Sequence, residues 1–166
     1  MEDLLKALQQ PEYVHVILNH LPITGLLAGL LVLVIAIFQK SRATAIAAYS
    51  VIFLMSLSVI PVTEYGEKAE DNVESLLDGP AHKWLHEHEE RAEKTSWIFY
   101  ATAAAAAGGL FLPRYVPKSG LFFLWVTLFL GAAAVAGGMW AASAGGKIMH
   151  REFRYSLPPG EASAEN

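Results

Sequence analysis

ATAIAAYSVIFLMSLSVIPV, residues 43–62, decides how this chain folds. Twenty residues pass without an Asp, Glu, Lys, Arg or His, and about that length of helix crosses a hydrocarbon core of roughly 30 Å. A helix of a water-soluble bundle would turn a polar face outward every third or fourth residue, and this stretch has no charged face to turn. Working outward, three more segments of the same kind occupy 21–38, 95–112 and 121–143, all without charge or histidine. In a chain of 166 residues they leave room for one unit. The expectation is an all-α integral membrane four-helix bundle over residues 1–157, followed by a flexible C-terminal tail at 158–166.

The charges between the spans set an orientation. Lys40 and Arg42 follow the first span, and Arg114 and Lys118 the third, with no acid among them, so both connections read as cytoplasmic. Residues 63–96 carry ten Asp or Glu against four Lys or Arg, and the N-terminal arm sets Glu2, Asp3 and Glu12 against Lys6. Both termini are therefore expected outside, with an acidic extracytoplasmic loop or helix extension between helices two and three. Lys147, Arg151 and Arg154 after the fourth span pull mildly the other way. Residues 1–11 are acidic and do not read as a cleaved signal. A net charge of −4 gives no footprint for nucleic acid.

With that topology His15, His20, His82, His86, His88 and His150 all fall at the outer end. There is no cysteine. Thiolate metal sites, iron–sulfur clusters held by this chain and covalent haem attachment are thereby excluded, and imidazole and carboxylate remain as ligands. Pro11 can open a helix that runs through His15 and Asn19 into the first span, kinked or relaxed at Pro22. His15 and Asn19 share a face, and His20 points elsewhere. The second span is expected to end at Pro61. Asp78-Gly79-Pro80 signals a new helix with Asp78 as its cap, unbroken into the third span, so that about four turns stand outside the bilayer. On it His82, His86, Glu89 and Glu93 form a stripe facing water, while His88, Ala92, Thr95, Phe99 and Thr102 face the bundle. Gly131, Val135, Gly138, Ala142 and Gly145 line one side of span four. Such small residues let helix backbones approach closely, and they equally make room for a flat macrocycle. Inward-facing histidine at a membrane boundary is costly unless partnered, which singles out His88 with His15 or His20.

Four short motifs carry a family resemblance. His15-Val-Ile-Leu-Asn-His20-Leu-Pro22-Ile-Thr-Gly25, Gly66-Glu-Lys-Ala-Glu70, His88-Glu-Glu-Arg-Ala92 and Gly145-Gly-Lys-Ile-Met-His150-Arg-Glu152 occur in that order over nearly the whole chain. Together they resemble a bacterial family of four-helix integral membrane proteins, a domain of unknown function whose opening motif runs roughly H-P-x-L-x-H-F-P-I-G. The chain departs from it at Val16, where many relatives have Pro. The resemblance implies a multi-pass protein of the bacterial inner membrane. Some members are fused to Rieske domains, which implies a place in membrane electron transfer.

Three expectations follow for function. The first is a b-type haem electron carrier working between a quinone or membrane partner and an acceptor outside. Its ligands would be His15 or His20 opposite His88, with His150 next, and Glu67 and Glu89 would accept hydrogen bonds from the imidazoles. The second is a non-haem iron, copper, zinc or manganese site drawn from His20, His88, His150, Glu67, Glu70, Glu89 and Glu152. The third is a cofactor-free accessory subunit of a larger membrane complex. No phosphate loop and no nucleophile elbow is present, so hydrolase or transferase chemistry is not expected.

Overall fold

The computed structural model describes residues 2–160 and is 85% helical. After a short α1 (Glu2–Ala7), the first span is built from α2 (Pro11–Leu18) and α3 (Leu26–Gln39), joined by a wide turn over Leu21–Gly25. Pro22 lies in that turn and has no N–H to give to the preceding carbonyls. A turn that reaches back five residues absorbs the defect without stopping the helix. The second span consists of α4 (Arg42–Leu57) and α5 (Val59–Glu74), with a single turn residue, Ser58, between them. The third is the continuous α6 (Gly79–Phe111), and the fourth is α7 (Ser119–Met149).

All four spans are long and apolar enough to cross a membrane. The connections between them are short, so the spans alternate in direction and the bundle is up-down-up-down. Its core lies in the half away from the histidines. Leu26, Leu30 and Leu33 of α3, Ala48, Tyr49 and Ile52 of α4, Phe99 and Ala106 of α6, and Ala134 of α7 are all buried together there. Outward faces are as apolar as the core, with Leu31, Leu54, Trp97, Trp125 and Phe129 each more than half exposed. That inversion suits a solvent of lipid and not of water.

The glycines of the spans are filled by neighbouring side chains. A β-carbon on Gly131 would lie 2.6 Å from Leu30 Cδ2, one on Gly138 would lie 3.0 Å from Ile23 Cγ1, and one on Gly108 would strike the ring of Phe123. At these positions the small-residue stripe serves helix packing. The hydroxyls of the inward seam are satisfied within α6 itself. Thr95 Oγ1 donates to the Arg91 carbonyl at 2.8 Å, and Thr102 Oγ1 to that of Ile98 at 2.7 Å.

One boundary differs from the sequence reading. The second span does not end at Pro61: the helix continues through the acidic segment to Glu74, and only Ser75–Asp78 separates it from α6. Pro61 stands in the first turn of α5, where its missing N–H costs little. The expected cap is present, since Asp78 Oδ1 accepts from Ala81 N at 2.8 Å. Past α7, Arg154 folds back to donate to the carbonyls of Lys147 and Ile148, both at 2.7 Å, and to Asp78 Oδ1 at 3.0 Å. Pro158 is buried, so the chain stays packed to the start of the expected tail. Residues 161–166 of that tail lie outside the described residues.

Candidate functional site

Two hairpins make up the histidine-bearing end of the bundle. In the first, α2 packs along α5; in the second, α6 packs along α7. Between the hairpins α5 and α6 touch only sparingly at this level, whereas α4 and α6 pack extensively deeper down. His15 projects from the first hairpin and His88 from the second. Their ring centroids are 6.4 Å apart and their planes cross at 86°.

Each imidazole is held in the same way. His15 Nδ1 donates to the backbone carbonyl of Val62 at 2.9 Å, and His88 Nδ1 to that of Ala141 at 2.9 Å. Four residues beyond each carbonyl stands a glycine, Gly66 in one hairpin and Gly145 in the other. The spacing has a physical reason. In a helix the carbonyl of residue i points toward residue i+4, and a side chain there would cover it. A β-carbon on Gly66 would lie 3.1 Å from His15 Nδ1 and Cε1, and one on Gly145 would lie 3.1 Å from the same atoms of His88. Glycine thus leaves each carbonyl open to a histidine from the partner helix.

This arrangement fixes the chemistry of the rings. A carbonyl can only accept, so in each histidine Nδ1 carries a proton, and in the neutral ring Nε2 keeps its lone pair. Neither Nε2 has a hydrogen-bond partner among the described residues. Two imidazoles bound through nitrogen on opposite sides of one metal have centroids on the order of 6 Å apart, given metal–nitrogen bonds of about 2.0–2.1 Å. The observed separation meets that requirement.

Sequence reasoning singled out His88 and offered His15 or His20 as its counterpart; His15 is the one that faces it. His20 is exposed and donates within its own helix, to the Val16 carbonyl at 3.0 Å. His150, also exposed, stacks on Phe153 and pairs with Glu152 at 2.9 Å. His82 and His86 face outward as expected, the latter 3.3 Å from Glu90. The expectation that Glu67 and Glu89 would hold the imidazoles is replaced by the two backbone carbonyls. The alternative metal set of His20, His88, His150, Glu67, Glu70 and Glu89 is not gathered. Among the described residues no three His, Asp or Glu side chains converge as metal ligands would.

Arg91, one turn deeper than His88, anchors this end. Its Nε bonds Glu87 at 2.7 Å, its Nη1 reaches the Trp140 carbonyl and Ser143 Oγ at 3.0 Å, and its guanidinium lies 4.6 Å from the Trp140 ring centroid. An arginine stacked on an outward-facing tryptophan marks the interface of a bilayer. The histidine pair lies beside it, with His88 bonded to Ala141 next to the Trp140 on which Arg91 stacks. No family model, no curated protein and no solved structure matches the chain.

Proposed function

We propose that this multi-pass membrane protein carries one b-type haem between His15 and His88 and transfers single electrons at the outer face of a bacterial inner membrane. The observation that carries the reading is the facing pair itself: two inward imidazoles, each oriented by a carbonyl, 6.4 Å apart. Haem iron needs only two ligands from protein because the porphyrin supplies the other four, whereas zinc or non-haem iron asks for three or more side chains. A pair with no third ligand beside it among the described residues suits haem better.

When bound, haem supplies the reversible one-electron chemistry of its iron. The chain's own residues do the rest. Val62 and Ala141 fix the tautomer and heading of each ring and raise its basicity, as outer-sphere hydrogen bonds to ligating histidines do. The core beneath keeps water from one side. Above it, the acidic segment 63–96 offers a negative surface to a cationic electron acceptor. A quinone or membrane partner would deliver the electron from the bilayer side. The rate of electron transfer to a cationic carrier should fall about tenfold between low salt and 0.5 M salt; a rate indifferent to salt would remove the docking surface from the scheme.

The central test is the absorption spectrum of the detergent-purified protein, oxidised and then reduced with dithionite. One haem per chain, with a low-spin spectrum lost in His15→Ala and in His88→Ala and kept in His20→Ala and His150→Ala, is expected. A colourless protein with stoichiometric copper, iron or zinc that disappears in the same two variants would replace haem by a metal ion. Neither haem nor metal would leave an accessory subunit.

A further inference from the structure

At the end of the bundle opposite the histidine pair lies a cavity of about 260 Å³, bounded by α4, the end of α6 and the start of α7. Arg42, Tyr49, Gly109, Pro113, Gly120 and Leu124 line it with other apolar residues. We propose that it holds the phosphate and glycerol region of one anionic phospholipid, with Arg42 on the phosphodiester and the Tyr49 hydroxyl on the glycerol esters.

Position comes first. Arg42 opens α4 at the very edge of the apolar run, where lipid phosphates lie. Charge is next. This end of the bundle carries Lys40, Arg42, Arg114 and Lys118, and no acid occurs in 13–63 or 95–151. Arg42 makes neither an ion pair nor a hydrogen bond among the described residues, so its five donors are uncommitted. Basic pockets between membrane helices of this kind take anionic head groups.

Tyr49 supplies the independent observation. Its ring is packed, with the residue as a whole only 5% exposed, while its hydroxyl, which has no hydrogen-bond partner among the described residues, stays open to the cavity that Tyr49 helps line. A hydroxyl held at the edge of apolar packing is a ready donor to a ligand oxygen. Side chains of a helix lean toward its N-terminus, so Tyr49 leans from the core back toward Arg42 and the surface. The seat is specific: a β-carbon on Gly109 would lie 2.5 Å from Tyr49 Cζ, so only glycine admits the ring. A guanidinium at the surface, a hydroxyl below it and an apolar wall below both match a phospholipid read from phosphate to acyl chain. A neutral quinone would use the hydroxyl and leave the guanidinium unpaired.

Native mass spectrometry of the full chain, titrated with dioleoyl phosphatidylglycerol, dioleoyl phosphatidylcholine and a ubiquinone analogue, tests the assignment. One phosphatidylglycerol should be retained about tenfold more tightly than phosphatidylcholine. Arg42→Gln should lose about tenfold and Tyr49→Phe about three- to tenfold of that affinity. Tyr49→Phe keeps the ring packed on Gly109, and unchanged helicity and melting confirm that it folds. Arg114→Gln, just outside the cavity, should lose at most a few-fold through diffuse attraction. Equal losses in Arg42→Gln and Arg114→Gln, equal affinity for the two phospholipids, or displacement of phosphatidylglycerol by the quinone analogue would each overturn it.

Discussion

Gly66 and Gly145 bind nothing in the scheme above, yet the histidine pair depends on them. A methyl group at Gly145 would meet His88 at 3.1 Å, closer than most real β-carbon contacts, and the ring would have to swing off the Ala141 carbonyl. Gly145→Ala should therefore lower haem affinity about 10- to 100-fold, as loss of an outer-sphere partner does at other metal sites. A haem titration of the apoprotein beside its circular dichroism would check this, with helicity unchanged. The histidines were legible in the sequence because membrane boundaries make buried imidazoles conspicuous. Their holders were not. Val62 and Ala141 act through backbone carbonyls, which no side-chain pattern reveals, and the i to i+4 relation with glycine has meaning only once the facing helices are known. Glu67 and Glu89, attractive as carboxylates, were preferred for their chemistry and not for their place.

Helices α5 and α6 show what hydropathy does and does not measure. The charge-free runs 43–62 and 95–112 mark where a helix meets lipid; they say nothing about where it stops. Beyond them the acidic segments stay helical, supported by i,i+4 pairs such as Glu64–Lys68 at 2.6 Å and Glu90–Lys94 at 2.6 Å. The start of α6 was legible because Asp78 caps it in the usual way. Its second task was hidden, since it requires Arg154 to fold back from the end of the chain. The Arg154 hydrogen bond, with help from the Ala81 N–H and from Arg151, holds the Asp78 carboxyl below the usual carboxylate range. A carboxylate so depressed stabilises the fold fully above its unfolded value near 4, and loses that contribution as pH falls through the lower folded value. Asp78→Asn keeps a capping oxygen and removes the charge. Its melting temperature should lie a few degrees below wild type at pH 6 and converge with it toward pH 3. At the contact of α3 with α7, Gly131→Leu would drive a side chain into Leu30 and cost about 1–3 kcal/mol, measurable as earlier unfolding in mixed micelles.

For the whole molecule, the absence of cysteine offers a clean test of orientation. Ser75→Cys, in the turn beside the histidines, should react with an impermeant maleimide in intact cells. Tyr115→Cys, 83% exposed in the turn at the other end, should react only after lysis. The reverse pattern would turn the protein over and place the histidine pair at the cytoplasmic face. The four-span architecture was fully legible, because the bilayer constrains length and charge so tightly. The pairing of spans into two hairpins was not, because it rests on shape. That pairing gives the molecule two halves of the same plan: a helix with one histidine, and a partner with one open carbonyl and one glycine four residues on. Their hydrogen bonds agree at 2.9 Å, and their glycine approaches at 3.1 Å. Both hairpins begin at the same end of the bundle, and each brings one ring to the pair. Neither hairpin alone holds both imidazoles, so the pair exists only where the two halves of the chain dock, and anything that loosened that docking would part the rings before it unfolded either half.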